Sequence, residues 1–194
     1  AVGVPGSVAG LEYAREKYGT RARGTLIAPA IAFAERGFVL DEGDIALLAT
    51  ATDDFRADSA TAAIFLNKGQ PYKVGDRLVQ KDLARTLRLI AQRGPDGFYR
   101  GFVADAIAAS SAVGNGLITK EDLAQYRVRE LAPIECDYRG YHVVSAPPPS
   151  SGGVVVCEIL NILEGYPLKD LGFRSAQAVH YQIEAMRHAY VDRN

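Results

Sequence analysis

Pro147-Pro148-Pro149-Ser150-Ser151-Gly152-Gly153 separates a strand-like segment, Tyr141 to Ala146, from the apolar run Val154-Val155-Val156-Cys157-Glu158-Ile159-Leu160-Asn161-Ile162-Leu163. Prolines cannot continue a ladder, since each lacks a backbone N–H and fixes φ near −65°. Glycines let the backbone take positive φ or approach another group closely. The stretch therefore reads as a rigid arm feeding a flexible, hydroxyl-rich corner that opens directly onto a helix.

Upstream of the corner, Ile134 to Tyr138 and Tyr141 to Ala146 flank Arg139-Gly140, the pattern of a hairpin with a two-residue turn. Tyr138 and Tyr141 would then pack across the strands. Downstream, Ser175 caps a helix on which Val179, Ile183, Met186 and Tyr190 recur at the spacing of one buried face. Toward the N-terminus, Ser7 is placed to cap a helix with the stripe Val8, Leu11, Ala14 and Tyr18, ended by Gly19. A second helix carries Leu26, Ile27, Ala30, Ile31 and Ala34, and Pro29 puts its regular start near that proline.

Asp41 to Asp58 fits a short helix plus loop, and Ala63 to Leu66 a short strand leaving through Asn67-Lys68-Gly69. Gly75 to Val79 reads as extended. Leu83, Leu87 and Ile90 share a helix face closing at Gly94, and Phe102, Val103, Ala106 and Ile107 share another. Thr119-Lys120-Glu121-Asp122 matches a capping box with Asp at the third helical position, burying Leu123 and Tyr126. The class is mixed α/β, and no linker or repeat divides residues 1–194.

The bulk properties exclude several functions. Of 194 residues, 48% are hydrophobic and 23% charged, and Lys+Arg number 22 against Asp+Glu 23. With a net charge of −1, nothing neutralises a phosphate backbone, so nucleic acid is not an expected partner. No apolar run reaches the ~20 residues that span a bilayer, and Ala1 to Gly6 has no signal-peptide character. The chain begins without Met, on residues that read as a buried turn, so residue 1 is not expected to be the natural start.

No self-contained active site emerges. Ser150 and Ser151 lie eight or nine residues beyond His142, without a nucleophile elbow, and capping the helix near Gly153 is their default role. His180 and His188, about 12 Å apart along a helix, are too distant to share a metal. Glu158, Glu164 and Glu184 have the spacing of surface charges. Gly3-Val4-Pro5-Gly6 is a tight corner before a helix. Cys136 and Cys157 lack metal spacing; two buried thiols are expected, a disulfide being the second reading.

Together with Ala1-Val2-Gly3-Val4-Pro5-Gly6, Phe98-Tyr99-Arg100-Gly101, Gly116 to Leu123, Asp137 to Tyr141 and Ala189 to Arg193, the corner resembles the large subunit of γ-glutamyltranspeptidases over nearly the whole chain. That resemblance implies a segment, residues 1–194, of a four-layer αββα N-terminal-nucleophile hydrolase. It implies a γ-glutamyltransferase or glutathione hydrolase acting through a γ-glutamyl-threonine intermediate, without metal or organic cofactor. The nucleophilic threonine would open a small subunit cut from the same precursor, and the carboxylate-binding arginine would lie upstream of Ala1. No catalytic residue is thus expected here. Gly3, Pro5, Gly6, Pro149, Ser150, Ser151, Gly152 and Gly153 are carried over as substrate-binding or supporting candidates. The expected partners are the small subunit and a γ-glutamyl substrate such as glutathione, and the expected location is periplasmic or secreted. A related acylase or amidohydrolase, of the cephalosporin or glutaryl acylase kind, and a non-catalytic scaffold lobe are the alternatives.

Overall fold

A computed structural model describes residues 3–193. The chain divides into two compact units, Ala1–Val128 and Arg129–Asn194. Helices dominate both, and among the described residues the strands form two antiparallel ribbons, so the class is the mixed one expected.

The first unit begins with α1 (Ser7–Tyr18) and α2 (Arg23–Arg36). Helix α2 starts six residues before Pro29 rather than at it. Proline removes only one internal hydrogen bond, and packing of α2 along the later helix α6 offsets that loss. Ser7 is the first helical residue and Gly6 occupies the cap position, without a side-chain cap bond.

Strand β1 (Phe38–Val39) leads into three short helices, α3 (Glu42–Ala49), α4 (Thr52–Ala57) and α5 (Ser59–Phe65). The segment expected as helix plus loop is thus more helical than its composition suggests. Asp41 and Asp44 form a capping box on α3. The strand expected at Ala63 to Leu66 is corrected to the end of α5 through Phe65, with Leu66 as its extended cap. Asp58 accepts from the Thr61 N–H at 2.7 Å, and the alanine-rich run that follows has the highest intrinsic helix preference. Strand β2 (Arg77–Leu78) pairs with β1, Phe38 opposite Leu78. Then come α6 (Lys81–Arg93), α7 (Asp96–Tyr99), α8 (Phe102–Val113) and α9 (Lys120–Gln125). The capping box expected at Thr119 and Asp122 is present on α9. Leu123, Tyr99 and Ala104 form a buried cluster, with Val4, Val8, Ile107 and Tyr126 packed around it.

The second unit is a hairpin laid on two helices. Strand β3 (Ile134–Tyr138) pairs with β4 (Tyr141–Ser145), Cys136 opposite Val143 and Tyr138 opposite Tyr141. Arg139 and Gly140 both hold positive φ, 49° and 84°, giving the mirror-image turn whose twist suits a two-residue hairpin. Helix α10 (Gly152–Glu164) packs on both strands and on α11 (Ala176–Arg193). Ser175 does cap α11, its Oγ accepting from the Ala178 N–H at 3.1 Å.

Two expectations fail in this unit. The buried residues of α11 are Ala178, Ala185 and Ala189. The stripe Val179, Ile183, Met186 and Tyr190 is 38–49% exposed. Small residues allow the close approach of α10 and α11, and the larger apolar stripe lies on another side of α11. Cys136 and Cys157 are not separate thiols but a disulfide, with Cα atoms 5.9 Å apart. Packing of α10 on β3 brings them together, and no sequence spacing encodes that.

Candidate functional site

Two of the candidate stretches are built very differently. In the first unit, Gly3 and Pro5 are exposed and Gly6 is half-buried. The turn they form is held from a distance. The Tyr99 hydroxyl donates to the Pro5 carbonyl oxygen at 2.6 Å and accepts from the Ala9 N–H at 3.3 Å. Ala9 is the third residue of α1, whose N–H groups lack intrahelical partners. Tyr99 therefore does for α1 what neither Gly6 nor Ser7 does with a side chain. Its ring stacks on Tyr126, 5.5 Å between centroids and 4° from parallel. Tyr126 in turn needs glycine at position 6, because a Cβ there would collide with its hydroxyl.

The opening turn, Phe98-Tyr99 and the Thr119 to Tyr126 segment, separate in sequence, thus converge on one cluster. Burial raises the Tyr99 hydroxyl above the ordinary tyrosine range. Replacing Tyr99 by phenylalanine should lower stability by about 1–2 kcal/mol, from the loss of the Pro5 and Ala9 hydrogen bonds. A urea titration would check it, and an unchanged midpoint would remove Tyr99 from the capping role.

Beside this cluster α1, α2 and α6 enclose a cleft of about 370 Å³. Its walls include Val8, Leu11, Leu26 and Leu87, and Glu12, Arg15 and Arg23 form its polar end. Glu12 is 8% exposed. It accepts from Arg15 Nη2 at 2.7 Å, from Arg15 Nε at 3.0 Å and from Arg23 Nε at 2.9 Å. Hydrogen bonds from Arg15 first, and from Arg23 next, hold its carboxyl down at about 2. Only the Glu12–Arg15 half of this triad has a sequence signal, the spacing of three along a helix.

In the second unit, the corner Pro147 to Gly153 joins β4 to α10, and its Pro148–Pro149 peptide bond is cis. Pro149, Ser150 and Gly152 are exposed, Ser151 half-buried and Gly153 buried. The helix starts at Gly152 with Ser151 at the cap position, but no side-chain cap bond forms. The expected capping role is therefore met by Ser151 in position only, and Ser150 precedes the cap. Gly153 is the close-approach glycine, since a Cβ would run into the Ala146 carbonyl oxygen and lie 3.2 Å from Ser145 Oγ.

His142 does not serve either serine. On β4 it faces Asp137, Nδ1 to Oδ1 at 2.9 Å, with Glu135 beyond at 3.5 Å from Nε2. The Asp137 hydrogen bond raises its pKa above the usual histidine value. His180 and His188 are exposed on α11. Glu164 accepts from the Arg139 N–H at 3.1 Å. Desolvation and then Asp192 raise the Glu158 carboxyl. Among the described residues no group of His, Cys, Asp and Glu is arranged to hold a metal, and no helix is long and apolar enough to cross a membrane. The Thr119 hydroxyl donates to the Asp122 carboxylate at 2.6 Å as part of the α9 cap, and the corner offers hydroxyls and helix-start N–H groups.

Comparison with known proteins places this architecture. The chain is 70% identical to a glutathione hydrolase proenzyme of Pseudomonas sp. strain A14, over all of this chain and 34% of that protein. It is 43% identical to the acylase ACY 1 proenzyme of Pseudomonas sp. strain SE83, over all of this chain and 35% of that protein. A crystal structure of Helicobacter pylori γ-glutamyltranspeptidase superposes with a TM-score of 0.96 at 44% identity, covering 99% of this chain and 55% of that one. The chain thus spans about a third of the length of the curated relatives it matches. The family description that matches residues 1–194 is γ-glutamyltranspeptidase, and with the motif clusters placed as above, the chain belongs to that family.

Proposed function

We propose that residues 1–194 are a single segment of the large subunit of an amidase that breaks γ-glutamyl amide bonds, glutathione's among them. The parent protein has the four-layer αββα arrangement of N-terminal-nucleophile hydrolases, and this segment supplies helices and a hairpin to it. A threonine at the start of the small subunit attacks the amide carbonyl, its own α-amino group taking the proton. The γ-glutamyl-threonine ester that forms is resolved by water or by an acceptor amine. What supports this reading above all is that one family match runs unbroken over residues 1–194.

The segment's contribution is to frame the site. Ser150, Ser151, Gly152 and Gly153 with Pro149 form a polar edge facing the γ-glutamyl substrate. Gly3, Pro5 and Gly6 form the turn that follows the arginine-bearing segment. The disulfide supports an oxidising compartment, periplasmic or extracellular. The partner chain is the small subunit, which fits a segment spanning about a third of its relatives.

One observation favours a second reading, a related acylase: the 43% identity to an enzyme of that name is close to the 46% shared with the glutathione hydrolase proenzyme of Escherichia coli. Intact-mass analysis and N-terminal sequencing of the protein expressed from its full gene test the proposal, with amine release from a γ-glutamyl anilide as the assay. Two polypeptides, the second beginning with threonine, and release of the amine are expected. Cleavage into two chains with activity only on a glutaryl cephalosporin would move the protein to the acylases. A single inert chain would end both readings.

A further inference from the structure

The hairpin lies along α10 and is fixed to it at successive points. At the open end, Gly153 rests against the Ala146 carbonyl. One helical turn further, on the same face, Cys157 is bonded to Cys136 of β3. At the turn end, Arg139 Nη2 donates to the Tyr166 carbonyl at 2.7 Å, and the Arg139 N–H donates to Glu164. Strands of five residues, about 17 Å long, match a helix of 13 residues, about 20 Å long.

The covalent point is the one that encloses the corner. Cys136 and Cys157 are 21 residues apart in sequence, and the loop they close holds the whole of β4, Pro147 to Ser151 and the first turn of α10. Within that loop the corner's other ties are local: Gly153 packs on the Ala146 carbonyl, and the Val155 N–H donates to the Ser151 carbonyl at 3.0 Å. Ser151 makes no side-chain cap bond, and Ser150 donates only its N–H, to the Pro147 carbonyl at 3.2 Å.

We propose that the Cys136–Cys157 disulfide is a positioning strut that fixes the Pro147–Gly153 corner in register with the hairpin, so that the corner's serines and glycines meet substrate at a set distance. Cys136 and Cys157 touch no substrate; they act through the corner. The part of the proposal that concerns substrate rests on the γ-glutamyl amidase reading above, and the part that concerns the corner does not.

The test uses the mature, full-length protein. A dithiol reductant breaks the S–S bond: two electrons and two protons pass to the cysteines as the dithiol closes to its own disulfide, and alkylation of the freed thiols holds the open state. A Cys136→Ala, Cys157→Ala double variant gives the same open state without reagent access to buried Cys157. Hydrogen exchange at residues 150–157 should quicken about tenfold or more, with α11 amides unchanged. KM for the γ-glutamyl anilide should rise about fivefold with kcat within about twofold, the signature of lost binding rather than lost chemistry.

Unchanged exchange at the corner would overturn the strut. So would equal acceleration along α10 and α11, or a lower Tm with KM intact, since each describes a general crosslink. If the oxidised protein cleaves no γ-glutamyl amide, the functional reading fails, and the exchange arm still decides whether the disulfide orders the corner.

Discussion

Leu123→Ala is expected to lower stability by about 3 kcal/mol, as truncations of fully buried leucines do when the surroundings cannot collapse into the space. Leu123 is 0% exposed. It sits on α9, a helix of six residues that is too short to stand alone and is held by packing and its capping box. Around it are Tyr99 and Ala104, with Phe98, Ile107, Ile118 and Tyr126 outside them. Tyr99 is pinned by its hydroxyl to Pro5 and Ala9 and by its ring to Tyr126, so it cannot tilt into the gap. The vacancy would persist, and the opening turn would loosen with it. Urea titration of the full protein reads the loss directly. A cost below about 1 kcal/mol would mean that the cluster repacks, and that Tyr99 is less firmly held than its hydrogen bonds indicate.

Glu12→Gln should cost a similar amount, and its effect should depend on pH. Arg15 and Arg23 hold the Glu12 carboxyl at about 2, against 4.5 when unperturbed. A carboxyl lowered in the folded state binds its proton less readily there than in the unfolded chain. Its stabilisation is fully present above about 4.5 and is lost as pH falls toward 2. That range corresponds to about 3 kcal/mol, comparable with the cost of breaking a buried ion pair and leaving its cations unmatched. The glutamine variant should therefore be less stable than the parent at neutral pH and nearly equal to it at the acid end. Parallel curves at all pH values would show that the destabilisation comes from shape rather than charge.

Local chemistry was readable wherever a few neighbouring residues settle the outcome. The hairpin over Ile134 to Ser145 was legible because a two-residue turn and alternating side chains fix both pairing and register. The α9 cap was legible because Thr119 and Asp122 satisfy each other three residues apart. The corner was legible as a close approach, although only the fold shows that Gly153, against Ala146, is the glycine that needs it.

Other features were hidden because their partners are remote. Tyr99 caps a helix that begins more than ninety residues earlier in the chain, at a separation of 90 from Ala9, and no pattern around Phe98-Tyr99 announces it. The Cys136–Cys157 bond depends on the hairpin lying along α10. On α11 the period was right and the buried face was wrong. Hydrophobicity marked Val179, Ile183, Met186 and Tyr190, whereas close packing on α10 selected Ala178, Ala185 and Ala189. At Ala63 to Leu66 an apolar run of strand length belonged to a helix, since a cap at Asp58 decided it from upstream. Of the candidate site, the motifs marked the two stretches, and the fold shows how each is built. The reacting groups proposed above lie outside this segment, so no reading of its residues could supply them.

Tyr99 also equips the molecule with a chromophore of its own. The chain carries 10 tyrosines and no tryptophan, so its near-ultraviolet absorption is governed by phenol rings. An unfolded tyrosine ionises near pH 10, while desolvation keeps the Tyr99 proton in place beyond that in the native state. Past about pH 10 the unfolded chain has released a proton that the native chain retains, so stability declines as alkalinity rises. In a spectrophotometric titration, phenolate absorption from Tyr99 would arrive as a late step, after that of solvent-exposed phenols. Its timing would report optically, without any label, whether Tyr99 still holds the turn at Pro5 and Gly6.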